Sequence, residues 1–295
     1  MDIKFINRAT KELVTERPPG EDILRFLYGN PVGEALVLPI AKQKFISDWY
    51  GKKMDSPSSV SRIEPFIRSL NIDMSESEKQ INEFTSFNDF FYRKLKSGTR
   101  KIEAGLVSPG DGKILVFKKV SEVKSFFVKG EKFTLGEFLE DEKLAEEYQD
   151  AAMVILRLAP NDYHRYHFPY QGIPSACHEI GKDYYSVSPI SLEKKFTQVF
   201  TKNKREICRL KTAGKGDILI IPVGATMVGS LNSTFTPESP IEKGEEMGYF
   251  AFGGSTIVLL FDANSFELDS DLVENTQNHL ETAVRMGEKI AIDKI

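Results

Sequence analysis

Two cysteines, one tryptophan and four histidines are few for a chain of 295 residues. Cys177 and Cys208 form no Cys-x-x-Cys pair and show no zinc-type spacing. That excludes a disulfide framework and a thiolate metal site, and it suits a reducing compartment. No stretch approaches the ~18 consecutive apolar residues of a spanning helix. A basic excess is also lacking: 39 Lys and Arg stand against 43 Asp and Glu, a net charge of -4 that argues against a general nucleic-acid binder. The opening residues, MDIKFINRATKELVTERPPG, lack the basic-then-apolar layout of a secretory signal. What is present is ordinary for a soluble globular protein, 41% hydrophobic and 28% charged, with room for one large or two modest domains.

Residues 1–98 read as mostly helical. GEDILRFLYGN, EALVLPIAKQKFISDWYGKK, SSVSRIEPFIRSLNI and SESEKQINEFTSFNDFFYRKL keep a helical spacing of apolar residues, the last with a capping signal at Ser75 and Ser77. From residue 99 to 295 the pattern becomes short apolar runs between Gly, Pro, Asn and Asp, such as GKILVFKKV, AAMVILRLAP and STIVLLF. One acidic helix, LGEFLEDEKLAEEYQD, interrupts them, and KKFTQVFTKNKREICRLKT reads as a hairpin turning near Lys202 and Asn203. The expected fold is α+β: a helical region of 1–98, then an antiparallel, barrel-like β core of 99–295.

The stretch 31–53 combines Leu36, Val37, Leu38, Ile40, Phe45, Ile46, Trp49 and Tyr50 with Lys42, Lys44, Lys52 and Lys53. A Trp–Tyr pair with lysines suits a lipid headgroup layer. A helix packed on the β core with a snorkelling lysine rim has the same composition, and from the stretch alone that reading is preferred.

Three short segments carry chemistry. SPGDGKI places Asp111 between two glycines, LAPNDYHRYHFPYQG holds His164 and His167, and FGGST places Ser255 before an apolar run. Each alone fits an ordinary turn. The His-x-x-His spacing matches neither a zinc-protease helix nor a finger, so no metal is expected, and proton transfer is the better use of the pair. Together Asp111, His167 and Ser255 supply an orienter, a base and a nucleophile. The two histidines face one way on a helical turn and opposite ways on extended backbone.

These segments, in this order, resemble the phosphatidylserine decarboxylases, a pyruvoyl-dependent family. FNDFFYRKLKSGTR, SPGDGKI, VKGEKFTLGEFL, LAPNDYHRYHFPYQG, VGATMVGSL, KGEEMGYFAFGGSTIVLLF and LETAVRMGEKIA carry the resemblance along most of the chain. Two positions depart from it: Gly253 stands where the family usually has leucine, and Ser188 where it has asparagine. The resemblance implies that Ser255 attacks the carbonyl of Gly254, severing the chain into a large part, 1–254, and a small part, 255–295, that remain together as a heterodimer. It also implies that Ser255 becomes a covalent pyruvoyl group, with His167 as base and Asp111 as its orienter; the acid that protonates the product carbanion is His164 or His167, with His164 favoured because it is otherwise unassigned. The pyruvoyl group then forms a Schiff base with phosphatidylserine and releases phosphatidylethanolamine. A lipid substrate implies peripheral attachment to the cytoplasmic face of the cell membrane, with 31–53 as first candidate surface and Lys194–Lys211 as second.

Overall fold

The run Ser255–Phe261 has no polar residue after Thr256, as expected of a strand covered on both faces. In the computed structural model, which describes residues 3–16, 21–123, 133–225, 231–251 and 253–294, all seven of its residues are buried. It pairs antiparallel with Ala152–Leu158 on one side and Ile218–Gly224 on the other, both equally buried. Alternation sends Ile257, Leu259 and Phe261 into one apolar cluster and Val258 and Leu260 into the other. Ser255 shares the parity of Ile257, and Thr256 that of Val258.

Ten strands form the main sheet. From one edge the order is Leu13–Glu16, Ile3–Asn7, Glu281–Val284, Gly112–Phe117, Ala152–Leu158, Ser255–Phe261, Ile218–Gly224, Arg205–Lys211 and Ile173–Pro174, with His178–Ile180 also pairing Arg205–Lys211. Only the pairing of Ile3–Asn7 with Glu281–Val284 is parallel. Two small sheets accompany it: Leu231–Ser233, Glu246–Phe250 and Arg165–His167, and Phe266–Leu268, Lys289–Asp293 and Leu106–Val107.

The α+β class holds, but the barrel does not. Among the described residues the edge strands Leu13–Glu16 and Ile173–Pro174 do not pair with each other, so the sheet is open. Its faces are sealed by other layers instead. Helices supply Phe138, Phe196 and Phe200 on one side, and the small sheets supply Tyr166, Phe250 and Phe266 on the other.

Three local expectations change. Two strands, Ile3–Asn7 and Leu13–Glu16, precede the helices, and the first is clamped to the sheet through its neighbour by Arg157, which pairs with Glu16 at 2.5 Å and Glu281 at 2.6 Å. The supposed hairpin at 194–211 is the end of helix Pro189–Lys202 followed by strand Arg205–Lys211, because Phe196, Val199 and Phe200 lie at helical spacing and are buried. The helix Phe87–Phe91 is capped not by Ser75 or Ser77 but by Ser86, whose hydroxyl accepts from the Asp89 amide at 3.1 Å. Parts of VKGEKFTLGEFL and VGATMVGSL lie outside the described residues.

Candidate active site

Ser255 opens the central strand, fully buried, opposite Leu158 and Gly224. The turn before it relies on two glycines for different reasons. Gly253 has φ of 143°, a region that L side chains rarely adopt. A Cβ on Gly254 would stand 3.1 Å from Val187 Cγ2, a tight approach.

His164 faces this serine. Its Nδ1 is 3.4 Å from Ser255 Oγ, and its ring stacks on Phe91 with centroids 4.0 Å apart. Phe91 belongs to a buried aromatic cluster with Phe84, Phe87 and Phe90, so the helical region sets the imidazole's plane. Burial, then the Arg93 cation, hold the His164 pKa well below its ordinary 6.5, and the ring is neutral at pH 7. Among the described residues its Nε2 has no hydrogen-bond partner, and neither has the Oγ1 of Thr256, the next residue along the strand. An unpartnered buried polar atom costs stability, and His164 Nε2 is one near Ser255, whereas strand alternation turns the Thr256 hydroxyl to the other face of the sheet.

His167 is placed differently. Its Nδ1 lies 2.9 Å from the Gly244 carbonyl and its Nε2 3.1 Å from the Tyr163 hydroxyl. The carbonyl can only accept, so Nδ1 carries the proton and Nε2 accepts from tyrosine. Burial lowers this pKa too, against the Gly244 bond and the nearby charges of Glu246 and Asp111. Asp111 accepts from Arg100 and from the Met286 amide, each at 2.8 Å. The structure therefore brings His164, not His167, to Ser255. Asp111 reaches His167 through its charge rather than through a hydrogen bond, because both its oxygens are engaged elsewhere.

Sequence reading did not single out Arg93, Arg100 or Tyr163. All three lie inside quoted segments, Arg93 and Arg100 in FNDFFYRKLKSGTR and Tyr163 in LAPNDYHRYHFPYQG, but their residue types alone carry no distinguishing signal. Ser188, the departure from asparagine, caps the helix Pro189–Lys202, accepting from the Ser191 amide at 3.3 Å. Serine and asparagine are comparable caps, so the helix start survives the exchange.

Comparison with known proteins gives the class first. Residues 87–292 match the family model described as phosphatidylserine decarboxylase. A phosphatidylserine decarboxylase proenzyme of Fusobacterium nucleatum is 50% identical over 295 residues, covering 99% of this chain and 98% of the relative. Proteins of the same description from Desulfitobacterium hafniense and Clostridium tetani are 42% and 44% identical, covering 98% of this chain and 98% and 97% of the relatives. The chain belongs to the phosphatidylserine decarboxylase family.

Proposed function

We propose that this chain is a precursor that cuts itself between Gly254 and Ser255 and then decarboxylates phosphatidylserine, the reaction for which its family is named, to phosphatidylethanolamine. The observation that carries the reading is the 3.4 Å approach of a neutral His164 Nδ1 to a buried Ser255 Oγ behind a glycine turn. Ser255 Oγ attacks the Gly254 carbonyl carbon and its proton passes to His164 Nδ1. The C–N bond between residues 254 and 255 breaks as the C–O ester bond forms, and the freed amine of residue 255 takes up a proton. Loss of the ester carboxylate across Cα–Cβ, followed by hydrolysis with release of ammonia, leaves a carbonyl on residue 255. Water supplies its oxygen.

The residues present fit such a group. Position 255 is held between two fully buried strands, and His164 Nε2, without a partner among the described residues, is a polar atom near it. A pyruvoyl carbonyl there supplies an electron sink for the bond that loses CO2. His164 Nδ1 is placed to hold and return a proton beside position 255. His167, fixed by Gly244 and Tyr163, keeps the neighbouring wall in place, and the Asp111 charge partly offsets the burial that disfavours its protonated form.

The region 1–98 provides the lipid-facing surface in this reading. Ile23, Phe26, Val32, Leu36, Val37, Ile40, Phe45 and Trp49 are exposed together, whereas Leu38 turns inward. Lys42 also turns inward, onto Asp183 and Tyr185, while Lys53 lies over the Trp49 ring. Among the described residues no helix is long and apolar enough to cross a membrane. An apolar patch with lysines beside it supports peripheral attachment to an anionic membrane surface, and the cytoplasmic face is the one this reading assigns. The 194–211 segment, the second candidate surface, buries Phe196 and Phe200 and leaves Lys194, Lys202 and Lys211 exposed.

Denaturing electrophoresis with intact mass tests the proposal. Wild-type protein gives two fragments, 1–254 and a blocked 255–295, and Ser255→Ala gives one species of 33.3 kDa. An unbroken wild-type chain that still releases CO2 from phosphatidylserine refutes it.

A further inference from the structure

A cavity of about 350 Å³ opens beside the histidines, walled in part by Arg93, Asp111, Lys113, Asp162 and Tyr163. It touches the site at two points. Tyr163 bonds His167, and the Arg93 cation bears on His164. Ser255 itself is not on this wall, so the cavity adjoins the site through Tyr163 and Arg93 rather than through position 255.

The charges of the wall are settled among themselves, with one exception. Arg100 pairs with Asp111 and Glu76, Lys113 with Asp162, and Arg285 with Glu76. Of the carboxylates, Asp73 accepts from the Ser75 amide, and burial pushes Glu288 towards its neutral form. Arg93 is only 6% exposed and has no ion pair or side-chain hydrogen bond among the described residues. Its one contact of note is the Phe90 ring, 5.2 Å from the guanidinium carbon. Asp111 and Asp162 attract it only from a distance; a buried guanidinium with no bonded anion is costly to keep, and its fork of donors matches a phosphate or carboxylate.

We propose that Arg93 is the anion subsite of the substrate and holds the phosphodiester of the lipid headgroup. The inference rests on the phosphatidylserine reading above. The headgroup offers two anions, and the chemistry separates them. A cation fixed on the carboxylate would stabilise the charge that must be lost as CO2, favouring the ground state over the transition state. The phosphodiester keeps its charge throughout, so holding it positions the amine and carboxylate without opposing the reaction.

The test measures KM for short-chain phosphatidylserine, and the inhibition constant of glycerophosphoethanolamine, which bears the phosphate but no carboxylate. Arg93→Met is expected to self-cleave and to raise both constants about 10- to 100-fold, with kcat changed far less. Arg93→Lys, which keeps the charge but loses the fork, falls between Arg93→Met and wild type. A raised KM with an unchanged inhibition constant assigns Arg93 to the carboxylate and overturns the proposal. So does a variant in which neither constant moves. If Arg93→Met fails to cleave, Arg93→Lys carries the comparison, and failure of both makes Arg93 a maturation group and also overturns it. Failure of the underlying reading looks different: wild-type protein stays unbroken and releases no CO2.

Discussion

Replacing His164 with alanine separates the chemistry from the fold. The imidazole contributes its stack on Phe91, worth about 0.5–1.5 kcal/mol beyond its buried area. It also carries an Nε2 with no partner, a defect that costs about 1–3 kcal/mol. Alanine removes both, terms of similar size and opposite sign, and also forfeits the ring's own burial, so the denaturant midpoint should fall modestly while the chain still folds. The reaction has no such offset. A positioned proton acceptor contributes about 10²–10⁴ in rate, or about 2.7–5.5 kcal/mol of barrier. His164→Ala is therefore expected to fold and remain uncut on the timescale of wild-type maturation. The assay is intact mass against time on freshly made protein, beside His167→Ala, which loses only the Gly244 and Tyr163 bonds and should cut faster than His164→Ala. Cleavage of His164→Ala within about threefold of wild type, far inside that range, refutes the assignment. A block confined to His167→Ala transfers it to His167.

Acid should destabilise the protein through the same two rings. Both have pKa values lowered on folding, so below pH 6.5 the unfolded chain binds protons first and stability falls. The loss is about 1.4 kcal/mol per pH unit for each ring still neutral, and it extends further for His164; urea titrations at pH 7.5 and 5 should show His164→Ala losing less than wild type. Arg157→Met leaves Glu16 and Glu281 buried without their cation and should cost about 3–5 kcal/mol by urea unfolding, whereas an unchanged midpoint would dismiss the clamp. Serine at Leu36, Phe45 and Trp49 removes side chains worth about 1.5–3 kcal/mol each when fully withdrawn from water. The triple variant should stay in the supernatant when spun with anionic liposomes, and co-sedimentation equal to wild type would remove this face from the lipid surface.

Much of the site was legible because its residue types are rare in combination: glycines before a serine at a strand start, an Asp in a Gly turn, paired histidines after a buried strand. The histidine roles were not legible. His164 and His167 are three residues apart, and on the extended backbone of Arg165–His167 that odd spacing turns them to opposite sides, one to Ser255 and one to Gly244 and Tyr163. The hairpin reading of 194–211 failed for a related reason, since a short apolar pattern with a turn dipeptide fits either period until its neighbours are known.

By itself the order of residues determined the family, the buried strand behind Ser255 and the glycine turn before it, since those depend on local composition and spacing. Only the tertiary structure decided that the sheet stays open, which imidazole meets the serine, and that Arg93 has no ion pair among the described residues. These depend on which distant segments arrive at the same place, and burial and Coulomb forces act between neighbours in space whatever their separation along the chain.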